Sequence, residues 1–380
     1  MKPVLIIAGE SSGERYGADV VREFGRLWPP RSFFGVGGGR MAAAGVDLLF
    51  SIDELSAVGI TEVITRLPHF RRLLRSIEKE VDARRPAAAL LIDSPDFNLR
   101  LAGKLKASGV PVVYYISPTV WAWRRGRLKT IRRCVDRMLL IFPFEREIYE
   151  EQGIPFRFVG HPLLDSVAVK LSREEFLAKH GLRGDRPIVC LLPGSRPTEL
   201  RRHLPVVAAG AERLGREMEV QFVLVLAESL TRDDLAGFIS PDDGRIFILT
   251  EDAYEAMAYS SLVLSACGTA NLEAAILGTP LIAFYRLSPL TYYPFRRLVK
   301  IRDYSIVNIL ARKRIVPELI QGALTPDRLA REARDLLRSE ERRSAMREEF
   351  AVITRGLGRG RAAVNAARAL AEVLDESQSG

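Results

Sequence analysis

Residues 261–286 constrain the chain more than any other stretch. Leu262–Leu264 is a short apolar run and reads as a buried strand. Ser265-Ala266-Cys267-Gly268-Thr269 is a turn of small residues, and Ala270–Leu277, rich in Ala and Leu, predicts a helix. Gly278 stands where a helix C-terminus favours glycine, Pro280 lies just beyond, and Leu281–Tyr285 returns as a second buried strand. Such a strand–helix–strand unit belongs in a parallel α/β sheet. The turn opens a helix over Gly268, Thr269 and Ala270, so free backbone N–H groups and the positive end of the helix dipole meet where a phosphate can approach. Ser265 opens that turn, and Glu273, one turn into the helix, is placed to accept hydrogen bonds from two neighbouring sugar hydroxyls. An ordinary βαβ unit with a small-residue turn would read the same way.

A second turn of this kind follows the apolar strand Ile188–Leu192: Pro193-Gly194-Ser195-Arg196-Pro197-Thr198-Glu199. It adds an arginine, whose planar fork of donors suits phosphate. Two such turns in one parallel sheet converge at the carboxyl ends of their strands, where open α/β sheets bind ligands. The plain alternative for Arg196 is a solvated surface residue.

A chain of 380 residues is long enough for two domains, each with its own core. No apolar run approaches the length of a membrane span, and Val4–Ala8 is too short for a signal-peptide core. Cys134, Cys190 and Cys267 are far apart and form no CxxC pair, which points to a reducing cytoplasm and against disulfides or zinc. A net charge of +9 implies an anionic partner: nucleic acid, an anionic membrane face or a phosphorylated ligand.

The first half alternates in the same way. Pro3–Ala8 is a strand, Gly9-Glu10-Ser11-Ser12-Gly13-Glu14 a Gly/Ser turn, and a helix runs to about Leu27. Phe33–Val36 follows and ends in Gly37-Gly38-Gly39, without the G-x-G-x-x-G spacing of a dinucleotide site. In residues 58–80, Val63, Ile64, Leu67, Phe70, Leu73 and Leu74 recur at helical spacing among Arg66, Arg71, Arg72 and Arg75. They form either an amphipathic helix packed on the sheet or an apolar patch with a basic rim resting on a membrane. Seven basic residues and one acidic between Arg124 and Arg137 allow the same two readings. Asp93-Ser94-Pro95-Asp96-Phe97-Asn98 follows the buried strand Ala87–Ile92, and a helix is expected over about 99–108. The loop Ser117–Trp123 carries two of the three tryptophans and forms a pocket wall or a cap over the core. His161 reads as a structural loop residue rather than a base. In the second half, helices are expected near 204–216, 252–259, 326–339, 341–352 and 361–375, with an aromatic-basic loop from Tyr292 to Lys300.

Ala8–Glu14, Ile92–Asn98, Ser117–Trp123, Pro193–Arg196 and Ser265–Glu273 together resemble lipid-A-disaccharide synthases, which are GT-B glycosyltransferases. The similarity runs from about residue 3 to 375; Glu14 departs from it, since the family usually has Asp there. The resemblance implies two Rossmann-like, doubly wound α/β domains facing across a cleft, over about 1–165 and 170–350. Residues 351–380 would carry a helix that packs back on an N-terminal domain, within one chain or across a homodimer. It implies transfer, with inversion, of diacylglucosamine from a UDP-diacylglucosamine donor to diacylglucosamine 1-phosphate, with no metal and no cofactor. The first domain would take the acceptor and meet the anionic cytoplasmic face of the inner membrane peripherally. The second would bind UDP through Gly194, Ser195, Arg196, Ser265, Gly268, Thr269, Ala270 and Glu273. Asp93 is the expected general base, with Glu10 and Asn308 as further catalytic candidates, and Asp96 is expected to cap the helix beginning near Asn98. Two rivals are another GT-B UDP-sugar enzyme (an N-acetylglucosaminyltransferase or an epimerase) and a basic nucleic-acid-binding protein, for which no recognised module is present.

Overall fold

The computed structural model describes residues 1–52, 54, 67–122, 124–235, 237–239, 246–288, 292 and 302–379. Val63, Ile64, Arg66 and Trp123, and the aromatic-basic loop except Tyr292, lie outside the described residues. The chain forms two compact units, Met1–Asp165 with Leu357–Gly380, and Ser166–Gly356.

The first unit is built on seven strands: β1 (Val4–Ala8), β2 (Phe33–Gly37), β3 (Val46–Ser51), β4 (Ala88–Ile92), β5 (Val112–Tyr115), β6 (Arg137–Leu140) and β7 (Phe156–Phe158). All pair in parallel in the order β3-β2-β1-β4-β5-β6-β7. β1 is the switch point, with Ile7 opposite both Val36 and Leu91. Side chains alternate across a strand, so Leu5 and Ile7 enter one core and Val4, Ile6 and Ala8 the other. The first core is closed by Leu73, Leu74 and Ile77 of the helix Leu67–Arg84, with Leu101 and Ile131. The second is closed by Val20 and Phe24 of the helix Ser11–Leu27 and by Ala366, Leu370 and Val373 of the last helix, Ala362–Ser379. Asp165 receives the amides of Arg361 and Ala362 at the start of that last helix, and Arg137 and Arg157 pair with its Glu376 and Glu372.

The second unit holds β8 (Ile188–Leu192), β9 (Gln221–Val225), β10 (Ile246–Leu249), β11 (Leu262–Ala266), β12 (Leu281–Tyr285) and β13 (Glu318–Ile320), also all parallel, in the order β10-β9-β8-β11-β12-β13. Several helix boundaries differ from expectation. The helix expected near 204–216 spans Pro197–Glu217. Pro197 suits its first position, where no N–H is needed, and Leu200, Leu204, Val207, Ala211 and Leu214 carry one buried stripe past the internal Pro205. The helix expected at 99–108 is Pro95–Ala107, so Asp96 is not its cap: it lies in the first turn, exposed, and pairs with Arg124 and Arg127. The helix expected to end near 352 runs over Glu340–Gly356.

Candidate active site

In the first unit the β1 and β4 turns meet at the carboxyl end of the sheet. A Cβ on Gly9 would lie 2.0 Å from Ser94 Oγ, so only glycine lets the two turns approach this closely. Asp93 and Ser94 both have left-handed backbone, φ +50° and +43°. That conformation costs an L residue about 1–2 kcal/mol, and here it is held from three sides. The Asp93 amide donates to Tyr115 O at 3.0 Å, while its carbonyl accepts from Asn98 Nδ2 at 2.9 Å and from the Tyr114 hydroxyl. Asn98 Nδ2 also donates to Ile92 O at 3.0 Å, so the first residue after β4 is fixed against the sheet. Burial, and then the nearby Glu10 carboxylate, push the Asp93 carboxyl up to about 6. That value suits a proton acceptor near neutral pH. Glu10 is exposed and precedes the helix Ser11–Leu27, while Glu14 turns inward and its Oε1 takes the Met41 amide at 2.9 Å.

Beyond Asp93 the same sheet edge carries a run of rings. Trp121 meets Phe144 edge-on at 5.5 Å, Phe144 stacks on Phe142 at 5.6 Å, and His161 lies 5.1 Å from Phe142. His161 Nδ1 accepts the Leu163 amide at 3.1 Å, and burial holds the ring neutral by lowering its pKa to about 3. This agrees with a structural part for His161. Glu145, 1% exposed, is pushed up to about 8 by burial and receives the Phe142 amide.

In the second unit the β8 turn presents an exposed Ser195 and Arg196. Gly194 has φ +138°, and a Cβ there would lie 2.7 Å from Glu199 Cβ, so the turn requires glycine twice over. Glu199 Oε2 accepts the Ser195 amide at 3.0 Å, and its Oε1 accepts the Tyr285 hydroxyl at 2.9 Å. At the β11 turn Gly268 and Thr269 are exposed and Ala270 is half-buried at the start of the helix Thr269–Ile276. Glu273 is half-buried and its Oε1 accepts from the Tyr254 hydroxyl at 3.4 Å.

Two expected site residues are elsewhere. Ser265 is fully buried: its hydroxyl accepts Asn271 Nδ2 at 2.9 Å, and Asn271 Oδ1 accepts the Ser305 hydroxyl at 3.1 Å. Through these bonds it braces the turn. Asn308 is engaged by the protein itself. It is fully buried, its amide donates to Val316 O and Glu318 Oε1, and its Oδ1 accepts the Ile315 and Val316 amides. With both donors and both lone pairs engaged it has nothing left for a substrate, and it holds the segment leading to β13. The sequence reading missed Asn98, Tyr114, Glu199 and His203. The only signal was the spacing of Glu199 and His203, three and seven residues after Arg196, which puts both on one helix face.

Among the described residues, no three His, Cys, Asp or Glu side chains come together in a group able to hold a metal ion, and no helix is long and apolar enough to cross a membrane.

Comparison with known proteins narrows the chemistry. A family model described as Lipid-A-disaccharide synthetase matches residues 4–371. The lipid-A-disaccharide synthase of Myxococcus xanthus is 42% identical over 372 residues, spanning 98% of this chain and 97% of that protein. Two solved structures share the fold. The UDP-GlcNAc 2-epimerase of Neisseria meningitidis bound to UDP-GlcNAc has TM-score 0.65 at 13% identity, with 98% of this chain and 100% of that one covered. The glycosyltransferase of kitacinnamycin has TM-score 0.66 at 15% identity, covering 99% and 100%. At that identity the likeness shows a GT-B-type fold of two parallel α/β domains and nothing about substrate, whereas the full-length match at 42% favours the lipid-A-disaccharide synthase family over the epimerase and N-acetylglucosaminyltransferase alternatives. The chain therefore belongs to the lipid-A-disaccharide synthase family, and it is a glycosyltransferase of lipid A biosynthesis.

Proposed function

We propose that the protein joins UDP-2,3-diacylglucosamine to 2,3-diacylglucosamine 1-phosphate, giving the β-1,6-linked disaccharide 1-phosphate and UDP. The family match over residues 4–371 carries this reading. The leaving diphosphate develops negative charge, and fixed donors aimed at it lower the barrier. In this reading Arg196, the Ser195 region and the amides at Gly268–Ala270 supply them, and Glu273 takes the ribose hydroxyls. Asp93 takes the proton of the acceptor 6-hydroxyl as that oxygen attacks the anomeric carbon and the bond to UDP breaks. Its elevated pKa supports the role, because the proton it accepts is then held well enough to complete the transfer. Glu10 stays near it as the charge that helps to raise that pKa.

Peripheral attachment to the anionic cytoplasmic face of the membrane is part of the same proposal. Leu73 and Leu74 belong to the core, and Phe70 packs edge-on against Phe97 at 5.1 Å, so these apolar residues do not form an open patch. Attachment then rests on exposed Arg71, Arg72, Arg75 and Lys79 of the same helix, with Arg125, Lys129, Arg132 and Arg133. The decisive experiment incubates the protein with both lipid substrates and looks for UDP and the disaccharide lipid by mass spectrometry. Absence of both products with active substrates refutes the assignment.

A further inference from the structure

His203 is a fully buried imidazole on the inner face of the helix Pro197–Glu217. It sits between the ends of two strands. Its Nε2 accepts the Arg286 amide at 2.9 Å, just past β12. Because that nitrogen accepts, Nδ1 carries the proton and donates to Pro193 O at 2.7 Å, just past β8. The ring is wedged against Phe284 and Tyr285, at 5.4 and 5.2 Å. One turn earlier Glu199 makes a parallel tie, holding the Ser195 amide with one oxygen and the Tyr285 hydroxyl with the other. Thus the turn Gly194-Ser195-Arg196 is fastened to the end of β12 by two side chains of one helix. β8 and β12 are not neighbours in the sheet; β11 lies between them. The two ties therefore link the carboxyl ends of β8 and β12, the strands on either side of β11.

We propose that His203, seconded by Glu199, is a positioning residue for the anion-binding turns: it fixes the Pro193 carbonyl, and through it the direction in which Arg196 leaves the sheet. The inference rests on the reading that Arg196 meets the UDP diphosphate. A neutral imidazole gives a donor to one strand end and an acceptor to the other from a single rigid ring.

The two bonds can be cut separately. Asn at position 203 keeps a short donor for Pro193 O and no acceptor that reaches Arg286, Gln places its amide at the Nε2 end, and Leu keeps most of the apolar volume with neither bond. UDP affinity is measured by titration calorimetry on the full chain for His203→Asn, His203→Gln and His203→Leu, with thermal midpoints alongside. The Leu variant is expected to bind UDP about tenfold more weakly, and Asn to recover more of that loss than Gln. A purely structural His203 would lower the midpoints and leave the UDP dissociation constant of the folded protein unchanged; that result, or equal losses in all three variants, overturns the proposal. Should these variants fail to fold, Tyr285→Phe tests the same coupling by removing only the half-buried hydroxyl tie to Glu199; about threefold weaker UDP binding is expected, and unchanged binding overturns it. Arg196→Ala is run in parallel. If it leaves UDP affinity intact, the Arg196 reading fails; if it weakens binding while the His203 and Tyr285 variants do not, only the positioning inference fails.

Discussion

Replacing Asp93 with Asn should make the enzyme slower and the fold more stable at the same time. Asn keeps the shape and the left-handed backbone, which Asn tolerates nearly as well as Asp. The Asn98, Tyr114 and Tyr115 bonds go to the Asp93 backbone, so they survive. What is lost is the base. General-base assistance is worth about 10²–10⁴ in rate, or roughly 3–5 kcal/mol of barrier, and turnover should fall by that factor while UDP affinity stays put. The stability change follows from the pKa. Burial, with Glu10 second, lifts the carboxyl from 3.8 to about 6. A raised carboxyl pKa means that the folded state prefers the proton. Its contribution is present in full below about pH 4 and is lost as pH rises through about 6. At pH 7 the wild type therefore carries an ionisation cost of about 2–3 kcal/mol, the lower end allowing for the part of Asp93 that meets water. Asn carries none, and the thermal midpoint should rise by about 5–10 °C. The assay is UDP release against pH together with a melting curve. Wild-type turnover should fall as pH drops through about 6, and in Asp93→Asn that limb should disappear. A folded variant that keeps more than about a tenth of wild-type turnover, or retains the limb near pH 6, refutes Asp93 as the base.

Arg196→Ala should weaken UDP binding by about one to two powers of ten, the loss of one charge-assisted hydrogen bond, as read by calorimetry; an unchanged dissociation constant removes Arg196 from the site. Asn308→Ala should cost about 2–4 kcal/mol of stability, because it strands the Ile315 and Val316 amides, while the folded fraction keeps wild-type UDP affinity and turnover per molecule; a selective loss of turnover would restore a catalytic part for Asn308. Reversing Arg71, Arg72 and Arg75 to Glu should abolish most salt-sensitive binding to anionic vesicles, each basic residue contributing about 1 kcal/mol near such a surface; vesicle binding that persists in a flotation assay would place the contact elsewhere.

The strand-and-turn grammar of this chain is local, and the sequence alone was enough to read it. Buried parallel strands are continuous apolar runs, as in Ile188–Leu192 and Leu262–Ala266, and both end in turns of small residues. The edge strands β3 and β13 escaped because they are half-exposed, with Asp47 and Glu318 breaking the apolar signal. The family resemblance was likewise carried by contiguous motifs. What the sequence could not decide was which polar residue faces a ligand and which faces the protein. Ser265 and Asn308 have the same chemistry as site residues, and only the packing around them commits their hydrogen bonds to Asn271, Val316 and Glu318. Asp93 is an ordinary carboxylate in the sequence; burial against the β4 end and the Glu10 charge set its proton affinity. His203 joins Pro193 to Arg286, 93 residues apart along the chain, and a bond of that kind exists only once two strand ends have been brought to the same helix face.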